Sequence, residues 1–113
     1  MDLQFVMLGT GNVDRCEAFY REKLDLEPAG RFGDFAFFKA GGVQIALSGE
    51  LGRSESGAAC ELVFGVSSVR HEYELLKARG VDFLNEPHPV NQENWVVNLR
   101  DPDGHLLSLY GKQ

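Results

Sequence analysis

Few side chains in this sequence have the chemistry to hold a metal or move a proton near neutral pH: three histidines, two cysteines and scattered carboxylates. His71 falls within a helical pattern, His88 in the Pro-rich stretch Glu86-Pro87-His88-Pro89, and His105 just after Asp101-Pro102-Asp103-Gly104. Each reads as a solvated or locally hydrogen-bonded histidine. Cys16 and Cys60 lack the paired spacing of a zinc knuckle and the density of a disulfide-stapled secreted domain, so both read as reduced thiols, Cys16 as a small core residue on an apolar helical stripe. Asp101 and Asp103 bracket a proline and precede a glycine. That is turn chemistry: Pro102 presets the second position of a type I turn, Asp103 suits the third and Gly104 accepts positive φ. The carboxylate that stands apart is Glu61, which opens an apolar run.

These groups must be held by a small fold. The chain has 113 residues, 43% hydrophobic and 25% charged, the balance of one globular domain rather than a disordered chain. Its net charge of −6, with no run of Lys and Arg, argues against nucleic acid and anionic membranes as partners. Apolar stretches are only a few residues long, and no basic segment precedes a hydrophobic one at the N-terminus. The expectation is a cytoplasmic protein without a membrane partner.

Laid over itself, the chain repeats. Phe5-Val6-Met7-Leu8-Gly9-Thr10-Gly11-Asn12-Val13 aligns with Glu61-Leu62-Val63-Phe64-Gly65-Val66-Ser67-Ser68-Val69. Each copy reads as a strand, a small polar break and a helix start capped by Asn12 or Ser68. Val13, Cys16, Tyr20 and Leu24 then recur at helical spacing in the first copy, and Val69, Tyr73 and Leu76 in the second, with Gly80 as a helix stop. Phe35–Lys39 and Val43–Leu47 match Trp95–Leu99 and His105–Leu109 as closing hairpins, and further strands are expected at Glu27–Phe32 and Val81–Leu84. This gives βαβββ twice: module one over about residues 1–48, a Gly/Ser-rich linker at 49–60 and module two over 61–113. Modules this small should fold as one domain with a shared sheet.

The segments Gly11-Asn12-Val13-Asp14-Arg15-Cys16-Glu17-Ala18-Phe19-Tyr20 and Asp101-Pro102-Asp103-Gly104-His105, with the doubled module, resemble the vicinal oxygen chelate superfamily of glyoxalases, extradiol dioxygenases and bleomycin-resistance proteins. The resemblance covers nearly the whole chain. It implies an α+β fold in which two βαβββ modules form a cup-shaped mixed sheet with helices on the outer face. Metal-dependent members hold a divalent cation on the first and last strands of each module. Here those positions fall on Phe5, Ala46, Glu61 and Ser108. One carboxylate and one hydroxyl cannot supply the three or four ligands of a catalytic metal, so no metal and no cofactor are expected.

Strand alternation lists the cup. Leu3, Phe5 and Met7 share a face, as do Gln44, Ala46 and Ser48; Glu61, Val63 and Gly65; Leu106, Ser108 and Tyr110; and Asn94, Val96 and Asn98. The expected ligand-binding set is Phe5, Met7, Gln44, Glu61, Val63, Asn98, Leu106, Ser108 and Tyr110, with the loop 86–94 and Trp95 flanking the entrance, a position for which the alternative is an ordinary core tryptophan. The resulting expectation is a metal-free small-molecule binder resembling bleomycin-resistance proteins, taking an aromatic or cationic organic ligand and assembling as a homodimer. The alternative is a divergent lyase or isomerase of the same superfamily in which Glu61, enclosed in the apolar cup, serves as base or ligand.

Overall fold

Asn12 and Ser68 start the two helices, as the computed structural model shows for residues 4–52 and 61–113, the part of the chain that it describes. Asn12 Oδ1 accepts from the Arg15 backbone N–H at 3.0 Å, and Ser68 Oγ from that of His71 at 3.1 Å, so each cap satisfies an amide that the helix cannot. Helix α1 (Val13–Ala18) continues into a π-helical turn, Phe19–Lys23, and α2 runs over Val69–Ala78. The first helix ends at Asp25 in the left-handed region (φ 56°), and the second at Gly80 (φ 90°), beyond which the Val81 N–H donates to Leu76 O at 3.1 Å.

The chain divides into two compact units, Met1–Ala58 and Ala59–Gln113. In the first, strands β1 (Phe5–Gly9), β2 (Glu27–Phe32), β3 (Phe35–Ala40) and β4 (Val43–Ser48) lie in the order β1-β4-β3-β2, with β1 parallel to β4 and the other pairs antiparallel. In the second, β5 (Glu61–Val66), β6 (His88–Pro89), β7 (Trp95–Arg100) and β8 (Leu106–Gly111) repeat that order as β5-β8-β7-β6, with β5 parallel to β8. The fold is α+β, and the doubled module is present. Backbone pairing closes within each unit, because the last strand of each pairs with its own first strand. The described strands form two four-stranded mixed sheets, one in each unit.

Two expectations are corrected. Of the segment 81–84, only Phe83 forms a bridge, to Leu99, and the fourth strand of the second module is instead the two-residue β6. The repeat also slips by one residue between β3 and β7. Ala40 pairs with Val43 across a two-residue turn, whereas Arg100 pairs with Leu106 across five residues. Phe37 is consequently equivalent to Asn98, not to Val97, and in a strand one residue decides the face. Of the expected linker, residues 49–52 turn back on the first unit, where Gly49 N–H donates to Asp34 O at 2.9 Å and Leu51 N–H to Ser48 Oγ at 3.2 Å; residues 53–60, including Cys60, lie outside the described residues, as does Leu3.

One face of each sheet is covered by its helix: α1 packs on β3 and β4, α2 on β7 and β8. The first core contains Leu8, Val13, Cys16, Tyr20, Phe38, Ile45 and Leu47, and the second Val69, Tyr73, Leu76, Val97, Leu99, Leu107 and Leu109. Burying each such Leu or Val contributes about 1.5–3 kcal/mol before the cost of ordering it. At the rim of the first unit, Arg31 donates to Asp14 at 2.9 Å and to Glu17 at 3.4 Å, tying β2 to α1. The hydrogen bond with Asp14 is the main cause that raises the Arg31 pKa above its ordinary value, but the pair is solvated and holds the fold only weakly. No helix among the described residues is long and apolar enough to cross a membrane.

Candidate functional site

The face of the second sheet that α2 leaves uncovered is built in three rows by strand register. Glu61, Leu106 and Arg100 form the first row; Val63, Ser108 and Asn98 the second; Gly65, Tyr110 and Val96 the third. Alternation sends Leu62, Phe64, Leu107 and Val97 the other way, which is why the open face keeps its polar groups. A recess of about 560 Å³ lies over these rows, walled by Glu61, Val63, Val96, Asn98, Ser108 and Tyr110, with Val90 and Asn91 from the loop after β6.

That loop is shaped by its own side chains. Asn91 Oδ1 accepts from the backbone N–H groups of Glu93 (2.9 Å) and Asn94 (2.8 Å), and the Val90 N–H donates to Asn94 O at 3.0 Å. The closed turn brings Val90, 51% exposed, to the recess wall. The turn joining β7 to β8 is held likewise: Asp101 Oδ1 accepts from the N–H groups of Asp103 and His105, each at 2.9 Å, and Gly104 adopts φ 90°. The carboxylate of Asp101 is a turn cap.

The floor is polar and ordered. Ser108 is fully buried, and its Oγ accepts from Asn98 Nδ2 at 2.6 Å. Asn98 Oδ1 accepts from Asn85 Nδ2 at 2.8 Å, while the Asn98 backbone N–H donates to Asn85 Oδ1 at 2.9 Å. Asn85 is a member of this network that sequence patterning does not single out. It lies thirteen positions before Asn98, outside any strand or helix, so no periodicity points to it.

The remaining expected residues divide between faces. On the first unit, Phe5 (41% exposed) and Met7 stand open on β1. Phe5 meets Phe37 edge-on at 5.8 Å between ring centres, Phe37 meets Phe32 at 5.9 Å, and Gln44 lies between Phe5 and Lys39 by register. Leu106 shares the open face of the second sheet but does not line its recess. Trp95 falls in the alternation of Val97 and Leu99, the buried side of β7, and is likewise not among the lining residues. Glu61 is exposed rather than enclosed. His71 and His88 are exposed, His88 Nδ1 lying 3.1 Å from Glu86 O, and His105 is half-buried beside the turn.

The metal positions implied by the resemblance do not suit a cation. Phe5 and Ala46 offer only hydrocarbon, and Ser108 is buried with its oxygen engaged by Asn98. That leaves the Glu61 carboxylate, short of the ligand number a catalytic metal requires. Among the described residues, no group of three or more His, Cys, Asp or Glu side chains converges.

A mixed four-stranded sheet with one helix, repeated in order and register, defines the class of α+β protein to which this chain conforms. The chain belongs to the Glyoxalase/Bleomycin resistance protein/Dioxygenase superfamily, whose family model matches residues 2–109. Among solved structures it is similar to a glyoxalase/bleomycin resistance protein/dioxygenase from Nocardioides, with 23% identity, a TM-score of 0.85 and coverage of 99% of this chain and 83% of that one. It is also similar to lactoylglutathione lyase from Agrobacterium tumefaciens (21%, 0.78, 97% and 92%) and to a family enzyme from Burkholderia phytofirmans PsJN (18%, 0.84, 100% of both). At these identities the likeness establishes the fold. No curated protein matches the chain.

Proposed function

We propose that this chain is a metal-free small-molecule binding protein that takes an aromatic or cationic organic ligand on the open face of the second sheet. The observation that carries the reading is the recess itself. It has apolar walls (Val63, Val90, Val96, the Tyr110 ring), a hydrogen-bonded polar floor (Asn98 on Ser108) and one exposed carboxylate at its edge, Glu61. Apolar area with a few fixed polar groups is the makeup of an organic-ligand pocket, and the carboxylate favours a positive group on the guest. The enzymatic alternative, with Glu61 as general base, is less well supported, because an exposed carboxylate lacks the apolar enclosure that would tune it. The expected homodimer belongs to the same reading and is measurable by light scattering.

The test is an NMR titration of the ¹⁵N-labelled protein with bleomycin and with phenyltrimethylammonium. Saturable shifts are expected at Val63, Val96, Asn98 and Ser108. Glu61→Gln should weaken binding by about fivefold, the scale of a partly solvated ion pair. Absence of shifts at near-millimolar concentrations of both compounds would end the proposal.

A further inference from the structure

The relay under the recess has a polarity that its geometry dictates. A backbone N–H can only donate, so the Asn85 atom 2.9 Å from Asn98 N must be its oxygen. The other end of that amide, its nitrogen, then lies 2.8 Å from Asn98 and requires an oxygen there, which fixes Asn98 Oδ1 toward Asn85. The Asn98 nitrogen is thereby turned to Ser108 Oγ at 2.6 Å. Amide orientations are otherwise interchangeable, but here one backbone donor orients two side chains in series. Among the described residues, the second N–H of Asn98 meets no acceptor, and Asn98 is half-buried on the recess wall.

From this we infer that Asn98 presents a hydrogen-bond donor to the ligand and that Asn85 is the positioning residue that holds it in that sense. The inference rests on the proposed binding reading and narrows its ligand class. Glu61 and Asn98 stand on strands β5 and β7, separated by β8 and offset by one row, so their side chains rise about 12 Å apart on the sheet. The guest is then an elongated aromatic cation with a carbonyl-type oxygen at the end remote from its positive charge. Tyr110, diagonal to Asn98 on the same face, adds a phenol able to follow either partner.

Two matched probes test this: (4-acetylphenyl)trimethylammonium, which carries the acceptor, and (4-isopropylphenyl)trimethylammonium, which has the same outline without it. The wild-type protein should prefer the acetyl probe by about tenfold, the value of one well-placed hydrogen bond. Asn85→Asp keeps the acceptor for the Asn98 backbone N–H but cannot donate to Asn98 Oδ1. The Asn98 amide then turns over and shows its oxygen to the recess, so the preference falls to one or reverses. The added charge acts on both cations alike and cancels in the ratio. In the ligand-free protein, one Asn98 side-chain N–H should exchange slowly in the wild type, and its contact with Ser108 should be lost in Asn85→Asp. Binding of both probes without preference, or a preference unchanged by Asn85→Asp, overturns the inference and leaves the binding reading standing; failure of both probes to bind overturns both.

Discussion

The open faces of the two sheets occupy equivalent register positions and have opposite chemistry. The middle row is Met7, Ala46 and Phe37 in the first sheet, and Val63, Ser108 and Asn98 in the second. The row beside it is Phe5, Gln44 and Lys39 against Glu61, Leu106 and Arg100. The covered faces, by contrast, keep matching residues: Ile45 and Leu47 stand where Leu107 and Leu109 do, all within 5% of full burial. Packing against a helix tolerates little beyond hydrocarbon of the right volume, whereas an open face is free to change. One copy has become an aromatic surface and the other a set of directional groups.

The largest effects should come from the part that the copies share. Leu47→Ala and Leu109→Ala, at the same position in the two cores and both buried, should each cost about 2–5 kcal/mol in urea unfolding, and a much smaller loss in one would show that the two cores are not equivalent. Glycine separates the copies more sharply. Gly9 and Gly65 hold the same register position, but a Cβ on Gly9 would lie 2.0 Å from Gly52 O, while one on Gly65 meets nothing within 4 Å. Gly9→Ala should therefore destabilise by about 1–3 kcal/mol and Gly65→Ala by under about 0.5 kcal/mol. Among the caps, Asn12→Ala should lower stability by about 1 kcal/mol. Ser68→Ala should lower it further, because Ser68 Oγ also donates to Gln113 O at 2.7 Å. The smallest change belongs to Arg31→Gln: loss of its solvated pairs with Asp14 and Glu17 should leave the unfolding midpoint almost unmoved, and the small difference from wild type should shrink further as salt is added.

Much of this architecture is legible in the residues themselves. The caps at Asn12 and Ser68, the stop at Gly80 and the strand Glu27–Phe32 follow from local chemistry, and the alternation of β7 and β8 puts Asn98 and Ser108 on one face. What escaped depends on partners distant in sequence. Val81–Leu84 has the composition of a strand, but Val81 is drawn into the helix-ending bond and contact with β7 is confined to one bridge, Phe83 with Leu99, with the Leu84 N–H donating to Asn98 O at 2.9 Å, so the paired strand is His88–Pro89. The slip between β3 and β7 arises from unequal hairpin turns, which a comparison of strands alone does not register. Asn85 carries no mark at all, since an asparagine in a loop acquires meaning only through the backbone that it meets.

The pairing of each module's first strand with its last also has a consequence in time. Among the described residues, β1 pairs only with β4 in its sheet, and β5 only with β8. On the ribosome, β1 must wait for Val43–Ser48 to be made, a delay of a few seconds at the roughly 5–20 residues per second of synthesis. During that interval Phe5 and Met7 ride on a nascent strand without a template, and the hairpin of β3 and β4 is the piece that captures it.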